Sequence, residues 1–230
     1  NRTTRDNAGD YARVMLGRGD QRIAVAYDLR NRNFSESWLK EFRAAVQASG
    51  RQLAAEVPYE SGDQADFAGV LRRMLEGRPD SLFFIAGALD VARLAQQARM
   101  QAHSLRIGAA EWAATEHLIE LGGEVVQGLL IVQNFDRDDE SARFREFSEA
   151  YFKRFQRKPS YSSVSAHDAA TVLLKALKER RSGETVKQAA LRAGPYQGLQ
   201  QRIEFDANGD TARKVFFTEI RDGRFVKVRS

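Results

Sequence analysis

The sequence predicts an α/β protein, with a parallel sheet flanked by helices on both faces. Three observations carry this. Short, almost wholly apolar runs recur, such as Ile23-Ala24-Val25-Ala26-Tyr27 and Leu82-Phe83-Phe84-Ile85. The stretches between them place apolar residues at helical spacing. The two patterns alternate from residue 22 to residue 132, as a parallel sheet covered on both sides requires.

Taken in order, residues 1 to 21 read as a helix through Tyr11, Val14, Met15 and Leu16 that feeds the first strand, Arg22 to Tyr27, closed by Asp28. Ser35 to Gly50 repeats Trp38, Leu39, Phe42, Ala45 and Val46 on one helical face, and Gly50 is a natural stop. Gln52 to Tyr59 reads as a second strand. Ser61-Gly62-Asp63 then caps a helix carrying Phe67, Val70, Leu71 and Met74. Leu82 to Ile85 is a third strand, and Ala86-Gly87 turns into a helix through Leu94 and Ala98. Leu105 to Ile107 is a fourth strand ending at Gly108. A short helix from Glu116 to Leu121 and a fifth strand from Val125 to Val132 complete the run.

After Asn134 the pattern changes, which suggests a second structural unit. Asp136 to Glu140 place acids at the start of a long helix with a stripe of Phe144, Phe147, Tyr151 and Phe155. Ser165 to Leu177, opened by His167 and Asp168, is apolar nearly all round, so its composition predicts deep burial. Thr185 to Arg192 is a third helix. The rest reads as β: Gln201 to Phe205, a turn at Asn208-Gly209, Lys214 to Ile220, a turn at Asp222-Gly223, and Phe225 to Val228.

Composition narrows the function. The 230 residues suffice for one large domain or two small ones. With 0 cysteines, disulfides, thiol catalysis and thiolate metal sites are excluded. The net charge of +5 comes from basic residues interleaved with acids, as in Lys40-Glu41-Arg43, so no nucleic acid is expected as partner. No apolar run approaches the ~18 residues of a membrane-spanning helix. His103, His117 and His167 lack metal-type spacing, and no metal or cofactor is expected. No nucleophile elbow, zinc-protease helix or phosphate-binding glycine loop occurs, so the chain is not expected to be an enzyme. Asp206 to Asp210 resembles a calcium loop, but its glycine is displaced and Phe217 occupies the position of the bidentate acid, which leaves a hairpin turn.

In open parallel sheets, ligands bind beyond the carboxyl ends of the strands. Four loops lie there: Asp28 to Ser35, Tyr59 to Asp63, Ala86 to Asp90, and Gly108 to Ala113. Glu111 stands out, just past a strand end among small apolar neighbours. It can pair with a ligand ammonium, or it can be an exposed acid near the next helix start. Phe34, in the first loop, can wall a pocket or staple the helix behind it.

Several stretches together resemble a known family. They are Arg22 to Asp28, Asp66 to Leu71, Leu94 to Ala98, Gly122 to Gly128, Tyr151 to Phe155, Ala166 to Ala169, and Ile203 to Asp210. In this order and spacing the chain resembles the type I periplasmic solute-binding proteins, in their leucine/isoleucine/valine-binding branch associated with ABC transporters. The resemblance implies two α/β lobes joined by three crossing strands, with the ligand held in the cleft. Residues 1 to 132 and 217 to 230 then correspond to lobe two, which is complete. Residues 133 to 216 correspond to the C-terminal portion of lobe one, whose first section is not matched.

The resemblance also implies roles. Glu111 matches the acid that pairs with an amino-acid ligand's α-ammonium. Phe34 matches a lobe-two aromatic, commonly tyrosine, that closes over the ligand; phenylalanine removes its hydroxyl. Ala86, Gly87 and Ala88 match a cleft-lining turn. The serine and threonine groups that clamp the ligand carboxylate fall in the unmatched section. The function implied is a periplasmic or extracytoplasmic solute-binding protein of an ABC importer. It would take an amino acid or similar small polar ligand and deliver it to a permease. The alternative is a ligand-sensing domain of a receptor or regulator with the same fold. With lobe one incomplete, the Ser165 to Leu177 helix should expose apolar surface and promote self-association.

Overall fold

The computed structural model describes residues 2–228. The chain divides into two compact units. One comprises Thr4–Gln133 and Phe217–Ser230, the other Asn134–Phe216 with Asn1–Thr3.

The larger unit is built on a seven-stranded sheet. Its strands are β1 (Ile23–Asp28), β2 (Ala55–Tyr59), β3 (Ser81–Ile85), β4 (Arg106–Ala109), β5 (Leu130–Gln133), β8 (Phe216–Arg221) and β9 (Arg224–Lys227). They lie in the order β2-β1-β3-β4-β5-β8-β9. The β1–β2, β1–β3, β3–β4 and β4–β5 pairs are parallel, whereas β8 and β9 form an antiparallel hairpin. Every residue of β3 is buried, as its unbroken apolar run requires of a central strand. The edge strand β2 buries only Val57 and Tyr59.

Alternation along β3 sends successive side chains to opposite faces. Phe83 meets Tyr11, Trp38 and Phe42, which come from α1 (Thr4–Gly17) and α2 (Arg32–Ala48). Phe84 instead joins Leu71, Met74, Leu94 and Leu118, from α3 (Phe67–Glu76), α4 (Ala88–Gln101) and α5 (Glu116–Gly122). The sheet is thus covered on both faces. Tyr11 also ties α1 to the sheet, since its hydroxyl donates to Leu130 O and accepts from Ala109 N–H at 3.1 Å.

The second unit holds α6 (Ala142–Phe155), α7 (Tyr161–Glu179), α8 (Val186–Ala193) and the two-residue strands β6 (Tyr196–Gln197) and β7 (Arg202–Ile203). Its apolar clusters are small. One joins Phe135, Phe144, Val164 and Leu199, and the other Ala193, Tyr196 and Ile203. Its most buried carboxylate, Asp168, accepts from Leu199 N–H at 2.8 Å and pairs with the Arg213 guanidinium.

Several expectations need correction. The helix after β2 is capped by Asp66, which accepts from Gly69 N–H at 2.8 Å; Ser61-Gly62-Asp63 lies upstream in a turn. The stretch from Val125 does not open a strand. A 3-10 turn, Gly123–Val126, comes first, and Gly128 takes φ 73° before β5 begins at Leu130. The acids before α6 sit in turns, where Asp136 and Asp139 accept from Asp138 and Ser141 N–H groups, and Ser141 is the cap. His167 and Asp168 lie in the middle of α7, not at its start.

The hairpin expected between Gln201 and Ile220 shrinks to one bridge, Phe205 to Thr211, because β7 pairs with β6 and β8 joins β5 and β9. Burial of α7 is also overturned: Val164, Asp168 and Ala176 are buried, but Leu173, Leu174 and Leu177 are 48%, 67% and 47% exposed.

Candidate functional site

Three parallel strands of the larger unit end in polar residues, Asp28, Tyr59 and Gln133, and the first two hold neighbouring segments. The Asp28 carboxylate, at the end of β1, accepts from Arg30 N–H at 2.9 Å and from Ser61 N–H at 3.0 Å, joining two strand-end loops. The Ser35 hydroxyl donates to Asp28 O at 2.6 Å. At the ends of β2 and β3, the Tyr59 hydroxyl donates to Asp90 Oδ2 at 3.0 Å. Burial raises the pKa of both groups, and the tyrosine bond partly offsets this for Asp90. These contacts shape the rim of the sheet.

Glu111 opens a 3-10 turn, Glu111–Ala113, two residues beyond the end of β4. Its carboxylate points inward. Oε2 accepts from the Trp38 indole N–H at 2.9 Å, and Oε1 accepts from the Asn7 amide at 3.2 Å. The reading of Glu111 as an exposed acid near a helix start therefore fails. Burial pushes its pKa up, opposed by its own backbone N–H and by the Trp38 and Asn7 hydrogen bonds. A carboxylate offers about four lone-pair sites, so the Trp38, Asn7 and backbone donors orient it and leave capacity for one more.

Asn7 and Trp38 went unseen in the sequence as partners of this acid. Trp38 read only as part of a helix stripe. The available signal at Asn7 was an amide one turn before Tyr11, on the face that α1 buries. The Asn7 Oδ1 atom is buried without a hydrogen-bond partner, as is Nε2 of Gln133. The β4–β5 register pairs Ala109 with Ile131, so Glu111 and Gln133 each lie two residues beyond that pair.

Phe34 lies in the first turn of α2, because that helix begins at Arg32, earlier than expected. Its ring meets Trp112 edge to face, with centroids 5.7 Å apart and planes at 75°. Gly87 caps α4, and a Cβ built there would lie 3.6 Å from the Trp112 indole. Phe34, Gly87 and Trp112 thus form one corner, and Trp112 follows Glu111 directly in the chain. Ala86 does not share this corner, since its side chain is fully buried in the core; Ala88 packs against the same core. His117 contacts Glu120 at 3.3 Å, and the His167 ring meets Phe147 within the smaller unit. Among the described residues no group of acids and histidines could hold a metal ion.

Comparison with known proteins gives a family. A family model described as "Periplasmic binding protein" matches residues 1–224. No curated protein matches the chain. Many solved structures are similar. A leucine-binding protein from Thermotoga maritima is 25% identical, with a TM-score of 0.87 over 98% of this chain and 65% of its own.

The branched-chain amino acid transporter substrate-binding protein of Streptococcus pneumoniae, in complex with isoleucine, is 17% identical. Its TM-score is 0.83, over 96% of this chain and 65% of its own. An ABC-transporter solute-binding protein from R. palustris, in complex with 4-hydroxybenzoate, is also 17% identical. Its TM-score is 0.82, over 99% of this chain and 64% of its own. This chain therefore spans about two thirds of the length of the proteins it resembles. Its sheet, its covering helices and the family match along residues 1–224 together show that this chain belongs to the periplasmic binding protein family, with the type I fold.

Proposed function

We propose that this chain is part of an extracytoplasmic solute-binding protein of an ABC importer, and that it binds an amino acid or similar small polar ligand at the strand ends of its larger unit. The observation that carries this is the oriented carboxylate of Glu111. Trp38 and Asn7 hold both its oxygens from the protein side, so a ligand ammonium can complete its hydrogen bonding. Phe34 and Gly87 act with it as ligand-facing residues, and Ala86 and Ala88 supply backbone to the same turn. In this reading Thr4–Gln133 with Phe217–Ser230 is lobe two, and Asn134–Phe216 belongs to lobe one. The delivered ligand passes to a membrane permease without covalent chemistry.

Calorimetry of the intact protein against an amino-acid panel tests this. Binding is expected, with Glu111→Ala weakening it at least ~10-fold, since a charge-assisted hydrogen bond contributes about 1.5–3 kcal/mol. Absence of binding, or binding indifferent to that substitution, overturns the reading. Affinity should also fall on acidification. Because burial raises the Glu111 pKa, the loss should begin at a higher pH than for an ordinary carboxylate.

The apolar face of α7 carries a second reading. Leu173, Leu174 and Leu177 supply surface for self-association of residues 1–230. Light scattering that finds only monomer at high concentration would sink it.

A further inference from the structure

We infer that Trp112 is the specificity-determining residue of this site, and that it selects ligands carrying an aromatic ring over aliphatic ligands of similar size. The inference rests on the strand-end site proposed above.

The chain has 2 tryptophans, and they are used differently. Trp38 is fully buried and spends its indole N–H on Glu111. Trp112 follows Glu111 directly and leaves 37% of its surface exposed. Three strand-end segments meet at its ring. Phe34 comes from the segment after β1, Gly87 from the one after β3, and Trp112 itself from the one after β4.

Gly87 is informative because its backbone does not demand glycine. Its φ of −74° and ψ of 166° suit any residue. A Cβ there would rest on the indole at 3.6–3.9 Å, so the ring lies directly against this backbone. Phe34 fixes the ring from another side in an edge-to-face contact, the geometry aromatic pairs prefer.

The chain neighbours Ala88, Ala110, Ala113 and Ala114 are small, and two rings, Phe34 and Trp112, meet at this corner. A braced indole next to an oriented carboxylate offers a ligand two contacts at once, a ring surface and an anion. An added aromatic pair contributes beyond its buried area, by an amount equivalent to about 2- to 10-fold in affinity. A branched aliphatic group gains the area alone.

The test is calorimetry of the intact protein with phenylalanine, leucine, alanine and benzoate. Wild type should bind phenylalanine about 2- to 10-fold more tightly than leucine. Trp112→Leu should erase that preference while changing leucine affinity by less than about 3-fold, and Trp112→Phe should restore most of it. Ligand should also shield the protein from acrylamide quenching, a signal that reports Trp112 because Trp38 is buried. A phenylalanine-to-leucine ratio unchanged in Trp112→Leu, or equal loss for both ligands, overturns the inference while leaving amino-acid binding intact. Benzoate binding that needs Trp112, without amino-acid binding, overturns the amino-acid reading and supports the inference. No binding by any of the four overturns both.

Discussion

The two units of this chain differ in what their ring-bearing helices pack against. In the larger unit Tyr11, Trp38, Phe42 and Phe83 are fully buried and pack ring against ring on one face of the sheet. In the smaller unit Phe152 and Phe155 on α6 are 50% and 53% exposed, and α7 exposes three leucines. Local pattern does not separate the two regions, since the helical periodicity of α1 and α4 is about equal to that of α7. The difference lies in what each helix has to pack against. A sheet presents a continuous apolar plane on each face, and α1 to α5 cover it. The helices of the smaller unit have only two-residue strands and small clusters as partners. Periodicity tells which face of a helix is apolar, but only a partner surface removes that face from water.

The sharpest way to break this contrast is in the buried rings. Phe83→Ala should cost about 3–5 kcal/mol, because it deletes a ring stacked 4.7 Å from Phe42 and leaves a cavity the sheet cannot close. Denaturant unfolding would measure it, and a loss below about 1 kcal/mol would mean that this core repacks freely. The smaller unit should depend on its polar anchor. Asp168→Ala strands the Arg213 guanidinium and the Leu199 N–H, and should destabilise by about 3 kcal/mol. A thermal scan able to resolve two transitions would show whether the loss falls in that unit.

Glu111 gives a prediction of sign. Its folded pKa is raised above the ordinary 4.5, so the folded state holds its proton more tightly than the unfolded chain. The stability this contributes is fully present below about pH 4.5 and is lost as pH rises through the raised value. The stability of wild type relative to Glu111→Gln should therefore decline from acid toward neutral pH. A difference that stays flat with pH would argue that the carboxylate is solvated. The smallest effect should be at the exposed leucines: Leu174→Ser, at 67% exposure, should change stability by less than about 0.5 kcal/mol. A larger loss would reveal that this face is covered in solution.

Much of the larger unit was legible beforehand. The continuous apolar run of β3 and the alternating strand and helix segments required a covered parallel sheet, and the structure has one. The misplaced boundaries share a cause. Val125 and Val126 are apolar enough for a strand, but Gly128 adopts a left-handed φ that breaks the extended backbone between them and β5. Asp63 and Asp66 are equally good caps by residue type; Phe67, whose ring meets Tyr59, fixes where the helix begins, and so selects Asp66. The position of Glu111 at a strand end was likewise readable. Its inward orientation was not, because Asn7 and Trp38 are 104 and 73 residues away along the chain.

The sequence by itself determined the α/β class, the order of the parallel strands' segments and the acid past β4, since each depends on composition and short-range periodicity. Tertiary structure alone decided which apolar faces were buried, where the last strands paired, and what held Glu111 and Trp112. Those outcomes depend on which distant segment arrives opposite each side chain. A residue's type sets what it can bond to, and the fold sets what comes within reach.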